Sequence, residues 1–436
     1  MSNSLALLGG KQVRTRPFAR QNTIGDEEKR AVMEVLESGI LSKFVAIYGP
    51  DFWGGPRVKR LEAEFAAHFG VKHAIATNSA TTALHAAVAA TGIEPGDEVI
   101  VSPYTMSASA TSIVMQQAIP VFADVQEDTF CLDPDSVRER ITPYTRAIMV
   151  THLFGHPADM KRLIEVAREH RLRVIEDAAQ AVGATYDGKY AGAIGDAGVM
   201  SLNFHKIIHT GEGGVVLTDD ENVANRVRLV RNHGETSVED MKLENIANTM
   251  GSNYRMTEIE AAIGVEQLYK LNALLEHRRI LASYLSSHLA MFQERVIPPV
   301  IYPNVTHSFY DYVVRVNEEK LGISRHTFAE ALKAEGVSFI EGYVRPLYLL
   351  PVFQKKIAYG GNGCPWTCGH YRGNVSYNKG ICPVTERLYE HELLCGDFCH
   401  SGLTTEDMDD VIAAFRKVID NVSELEEWEK RPSRGN

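Results

Sequence analysis

The chain has 436 residues, 44% hydrophobic and 23% charged, with a formal net charge of −11. That length provides a large core and two or three domains, and the acidic balance excludes a nucleic-acid-binding surface, which needs a basic face. No uninterrupted apolar stretch is long enough to span a bilayer, and the N-terminal apolar patch precedes its basic residues, the wrong order for a secretory signal, so a cytoplasmic location is expected.

Residues 1–24 carry no clear period and read as an N-terminal arm. A helix is predicted to open near Gly25, where Val32, Val35 and Leu36 share one face. Residues 42–56 are rich in Gly, Pro and aromatics and read as a loop. The next helix places Val58, Leu61, Phe65 and Phe69 on one stripe and closes at Gly70. From Lys72 to Thr218 short apolar runs (AIAT, EVIVS, IPVFADV, AIMVTHLF, RVIEDAA, AGVMSLNF, GVVLTD) alternate with helical patterns. Pro157 suits the first turn of one of these helices. Runs apolar on both faces, alternating with helices, indicate an α/β fold with a mainly parallel sheet covered on both sides. Ligands of such sheets bind beyond the carboxyl ends of the strands.

A long helical pattern from Met256 to Ala290 contains no Pro and can link two lobes. The Pro-rich patch VIPPVIYPNV marks a boundary. Beyond it a strand (FYDYVVRV), a helix (RHTFAEALKAEG), a strand (VSFIEGY), a helix near Glu386 and an amphipathic helix from Glu406 suit a smaller α+β lobe. The expected organisation is an arm (1–24), a large domain including the linking helix (25–290), a small domain (291–428) and a disordered tail (429–436).

The stretch from Val174 to Thr218 carries the chemistry. Asp177 ends one apolar run, and Lys206 follows another and precedes GEGG. Chemistry on pyridoxal 5′-phosphate needs an amine to hold the aldehyde and a carboxylate to keep the ring nitrogen protonated. Asp177 and Lys206 supply both groups from the ends of buried strands. A lysine amine reacts only when neutral, so burial beside a strand end is a requirement. The bland alternatives are a surface lysine in a hairpin turn and an acid capping the next helix. Gln180 lies one helical turn after Asp177. Ser79, Ala80, Thr81 and Thr82 stand at a strand-to-helix turn, where open backbone N–H groups can take a phosphate or where Ser or Thr simply caps the helix. The glycines of GKYAGAIGDAG do not form a dinucleotide-binding motif.

These segments, with THLFGHPADM, RNHG and GSNYRMTEIEAAI, resemble the DegT/DnrJ/StrS family of sugar and cyclitol aminotransferases over about Gly25 to Val418. The resemblance implies a fold-type I pyridoxal-phosphate transferase: a large domain with a mostly parallel mixed sheet plus a smaller C-terminal α+β domain. It implies that Lys206 carries the cofactor and then moves the proton, and that Asp177 pairs with the ring nitrogen. Gln180 would contact the phenolic oxygen, Ala80, Thr81 and Ser201 the phosphate, and Asn203 the cofactor. Asn253 would reach the phosphate from a neighbouring subunit, so a homodimer with shared sites is implied. The expected substrates are glutamate or glutamine and a ketosugar (nucleotide- or phosphate-linked) or ketocyclitol. The family's ring-stacking aromatic falls on Met106 here, with Tyr104 as the alternative, and Ala80 stands where the family commonly has Gly.

Two rival readings stay open. A relative can use the same site for dehydration or for making an aromatic amino acid, although the deoxygenating branch replaces the lysine with histidine. A non-catalytic homologue can keep the fold, but a degraded site would then be expected. Five of the six cysteines crowd the C-terminal part (Cys364, Cys368, Cys382, Cys395, Cys399). Six cysteines are few for the length, against a disulfide scaffold, and an x-x-x spacing is less diagnostic of a metal centre than C-x-x-C, so buried thiols are the expectation. By strand alternation His205 is expected to face away from Lys206.

Overall fold

The computed structural model describes residues 4–430. Seven strands build the main sheet: β1 (His73–Thr77), β2 (Glu98–Val101), β3 (Ile119–Phe122), β4 (Thr145–Thr151), β5 (Arg173–Asp177), β6 (Ala197–Ser201) and β7 (Gly214–Thr218). Their spatial order is β1-β7-β6-β5-β4-β2-β3. All pairs are parallel except those made by β7, which runs antiparallel to both β1 and β6. β7 reverses because only a short connection, not a crossover helix, joins it to β6. That connection carries Lys206.

Helices cover both faces, as strands buried on both sides require. They are α1 (Asp26–Ser38), α2 (Pro56–Phe69), α3 (Ala80–Ala90), α4 (Ala108–Met115), α5 (Pro134–Glu139), α6 (Met160–His170), α7 (Glu221–Arg231) and α8 (Glu258–Leu289). One core packs Ile100, Val101, Ile148 and Ile175 against α3 and α4. A second packs the sheet's other face against Phe65 of α2 and Leu268 and Leu271 of α8. A third belongs to the C-terminal lobe, where a four-stranded sheet (296–297, 312–316, 393–396, 340–341) is backed by the helices Arg325–Ala334 and Thr405–Asp420. α8 enters both of the last two cores: Leu271 and Leu275 lie in one, Leu281, Leu285 and Leu289 in the other.

Some boundaries differ from expectation. Pro157 lies outside α6, because Asp159 caps that helix by accepting from Arg162 N. Ala158 N is drawn to His152 Nδ1 at 3.0 Å instead of entering a helical turn. The arm is not loose. Leu5 is fully buried in the C-terminal core, and Arg14 pairs with Asp407 (2.9 Å) and Asp410 (2.6 Å). Of the expected tail, Glu429 ends a helix that starts at Val422, and residues 431–436 lie outside the described residues. Cys364 and Cys368 form a disulfide that the spacing did not foretell, while Cys382, Cys395 and Cys399 are buried thiols. Among the described residues no group of three or more His, Cys, Asp or Glu side chains is arranged to hold a metal ion. Nor is any helix there long and apolar enough to cross a membrane.

Candidate active site

The strand ends β4, β5 and β6, with the N-terminus of α3, line a cavity of about 150 Å³. Its walls include Ala80, Thr81, Met106, Asp177, Gln180, Ser201, Asn203 and Lys206. Eight of the ten residues singled out from the sequence therefore converge. The other two do not. Tyr104 is fully buried behind the site, its hydroxyl donating to Gly342 O at 2.8 Å. Met106 and Thr105 are thus the wall residues from the SPYTM segment. Asn253 lies on an exposed stretch outside the cavity, paired with Asn232 through backbone bonds.

Each group is placed by local structure. Asp177 is the last residue of β5, in register with Val199 of β6. It is only 5% exposed. Ser109 of α4 donates to one of its oxygens at 2.6 Å, and Ala179 N donates to the other at 3.1 Å. A carboxylate so held offers its outer lone pairs to the cavity. Gln180 accepts from Phe154 N (2.8 Å) and donates to the Tyr343 hydroxyl (2.7 Å), which fixes its amide orientation.

At α3, Ser79 caps the helix by accepting from Thr82 N at 3.2 Å. Ala80 and Thr81 are the first helical residues, so their N–H groups have no partner within the helix. The start of β7 presses on this turn. A Cβ on Gly214 would lie 2.5 Å from the Ser79 carbonyl and 2.6 Å from Ala80 N. Any other residue there would push the turn away from Ser201, the end of the neighbouring strand. Open amides at a helix start beside a serine form an anion cradle. Asn203 adds a buried Oδ1 without a partner among the described residues, while its Nδ2 donates to Glu212.

Lys206 occupies the connection from β6 to β7. The chain turns there, with Lys206 N bonded to Asn203 O at 2.9 Å and Thr210 N to Leu202 O at 2.9 Å. A turn abolishes strand alternation, which is why His205 lines the cavity beside Lys206 rather than facing away. The Lys206 ammonium lies over the Tyr310 ring, 4.4 Å from its centroid. Burial is the main effect on it and brings its pKa down to about 8, against an upward pull from Asp177 and then Asp311. The neutral amine is therefore reached more than two pH units below an ordinary lysine. In the cofactor-free protein, acylation of Lys206 followed by peptide mass spectrometry should titrate with a midpoint near 8. A midpoint above 10, the ordinary lysine range, would show that the amine is not desolvated.

The sequence did not reveal Ser109, Tyr310, Tyr343 or Glu212 as site residues. Ser109 stands one turn after Thr105 on a helix read for its position alone, and Tyr310 and Tyr343 come from the other lobe, where no motif marks them.

A mostly parallel sheet with an amine and a held carboxylate at its strand ends, next to an anion cradle, is the fold-type I transferase arrangement. Residues 22–416 match the DegT/DnrJ/EryC1/StrS aminotransferase family, and the chain belongs to that family. It is similar to GDP-perosamine synthase of Caulobacter vibrioides, 39% identical over 84% of this chain and 91% of that one. It is also similar to L-glutamine:scyllo-inosose aminotransferase of Streptomyces griseus, 33% identical over 98% of this chain and 100% of that one. Among solved structures it resembles DesV of S. venezuelae in complex with a ketimine intermediate, at a TM-score of 0.74 and 31% identity over 94% and 95% of the two chains. The chain is an aminotransferase, and the fold class expected from its sequence is the one observed.

Proposed function

We propose that this aminotransferase holds pyridoxal 5′-phosphate on Lys206 and moves an amino group from glutamate or glutamine to a ketosugar or ketocyclitol. The observation that carries this reading is the convergence of a desolvated amine and a buried carboxylate on one cavity beside the open amides of α3. The residues present fit the cofactor: the cradle that a Cβ at Gly214 would destroy suits a phosphate, and the unpartnered Asn203 Oδ1 suits a donor on a ligand. When bound, pyridoxal phosphate supplies an electron sink that makes the substrate's amine-bearing carbon acidic.

The chain's own groups do the rest. Asp177, tied by Ser109 and Ala179, keeps a fixed negative charge against the ring nitrogen. Gln180, oriented by Phe154 N and Tyr343, presents its edge to the phenolic oxygen. Ala80 and Thr81 N–H groups and the Ser201 hydroxyl bind phosphate. Met106, on the cavity wall, would lie against the ring, a thioether standing in for an aromatic face. Lys206, whose buried amine has its pKa held down to about 8, would serve as the base that moves the proton between substrate and cofactor carbons.

Homologues act on nucleotide-linked and cyclitol substrates, as the names GDP-perosamine synthase and scyllo-inosose aminotransferase state. That supports a polyhydroxylated ketone as acceptor. We further propose a homodimer in which Asn253 reaches the partner's phosphate site, since its side chain stands exposed outside the cavity of its own chain. Asn253→Ala is expected to weaken cofactor retention about tenfold, the value of one hydrogen bond to a charged group, as measured by dialysis and absorbance. Unchanged retention would remove the cross-subunit role. The reading as a whole is tested by offering ketosugar nucleotides, ketosugar phosphates and inososes with glutamate or glutamine. Amino transfer to none of them would sink it.

A further inference from the structure

The loop bearing Lys206 is gripped from behind by the N-terminal arm. Gln21 donates its Nε2 hydrogens to the carbonyl oxygens of Lys206 (3.1 Å) and Ile207 (3.3 Å). Its Oε1 accepts from the guanidinium of Arg278 in α8. Arg278 is 2% exposed and also donates to the carbonyls of Phe309 (2.8 Å) and Tyr310 (3.2 Å). Tyr310 is the residue whose ring covers the Lys206 amine. One guanidinium therefore fixes, through Gln21, the main chain of Lys206 and, directly, the main chain of the residue above its amine.

The same stripe of α8 repeats the device. Gln267 lies eleven residues before Arg278, about three helical turns and so on the same face. It is fully buried, donates to Thr23 O (3.0 Å) and accepts from the Thr23 hydroxyl (2.7 Å) and from His209 N (3.4 Å). Arm and loop are thus tied to α8 at two points. Burying a guanidinium and an amide, with a second amide half-buried beside them, is unfavourable unless the bonds are made, and apolar residues of similar size would stabilise a core position as well. Their use where the arm meets the reacting lysine points to placement rather than bulk stability.

Resting on the reading of Lys206 as the reacting amine, we propose that Gln21 and Arg278 are positioning residues. They clamp the Lys206 main chain and the Tyr310 cover as one unit, so that only the lysine side chain moves when substrate displaces it. Misplacement of a reacting group by an ångström is enough to lower a rate severely.

Two variants test this. Gln21→Met keeps the side-chain length and removes all three hydrogen bonds. Gln21→Glu keeps the acceptor for Arg278 and loses both donors to the loop. In cofactor-free protein, amide hydrogen exchange across residues 202–210 should accelerate at least fivefold in both variants, while exchange in β2 and β4 stays within twofold. In the loaded enzyme, kcat with the amino donor should fall about tenfold, with KM within twofold. Unchanged exchange overturns the clamp, and so does faster exchange with unchanged kcat, because the loop is then not held for chemistry. Should Gln21→Met fail to fold, Gln21→Glu carries the test, since the buried Arg278 keeps its partner. The exchange readout stands apart from the assignment of Lys206: retained turnover in a Lys206→Ala enzyme would refute that assignment without altering the exchange result.

Discussion

Lys206→Ala is expected to lower kcat by about 10⁴-fold, the upper range for loss of a positioned acid or base, while the folded structure persists. Two opposing terms govern stability. Burial holds the Lys206 pKa down to about 8, so the unfolded chain, titrating near 10.4, binds more protons between these values. Stability therefore rises with pH through that window, and below pH 8 the buried cation is a full cost of a few kcal/mol. Removing it relieves that cost. Removing its methylenes loses about 0.8 kcal/mol each. The terms are comparable, so the melting temperature at pH 7 should move by only a few degrees. A variant that retained turnover within tenfold of the parent would take Lys206 out of the chemistry. A collapse of the melting transition would make it a structural residue instead.

Asp177→Asn comes second in size. The amide keeps the shape: with its oxygen accepting from Ala179 N, its NH2 can donate to the Ser109 hydroxyl, now 2.6 Å from the carboxylate and able to turn and accept, so the strand end should hold. What disappears is the charge that, on the proposed reading, would face the ring nitrogen. Losing one preorganised electrostatic partner costs about 10²–10³ in kcat, with the donor KM little changed because the carboxylate acts on charge that develops during the reaction. Ser109→Ala should be milder, about tenfold, since the carboxylate keeps Ala179 N. Equal rates for parent and Asp177→Asn would remove the ring-nitrogen assignment.

Asp177 was readable because it ends a strand buried on both faces, and Lys206 because it follows another such strand in the connection beyond its end; a polar group after an apolar run is conspicuous. The strand-to-helix turn at Ala80 and Thr81 was readable from its small polar residues after an apolar run. Tyr104 was misplaced because position in a motif does not fix which way a ring points, and here the Gly342 carbonyl draws the hydroxyl away from the cavity. His205 was misplaced because strand alternation was carried past the strand's end into a turn. Gln21 and Tyr310 were invisible, and Tyr343, though in a loop that could choose the acceptor, was not marked as a partner of Gln180. Their partners lie far away along the chain, and nothing near them in sequence states the pairing. The disulfide joining Cys364 and Cys368 was equally hidden, because spacing alone does not tell a bonded pair from two packed thiols.

The regular stripe of α8 makes the molecule intolerant of one kind of genetic change. Each residue advances a helix by about 100° and 1.5 Å. Deleting a single codon between Gln267 and Arg278 would swing the arginine a quarter-turn or more away from the arm and rotate everything beyond it, including the leucines that seat the C-terminal lobe. Point substitutions on the helix's outer side, such as at the exposed Tyr269 or Ile280, should pass unnoticed, whereas frame-preserving indels there should be lethal to the enzyme.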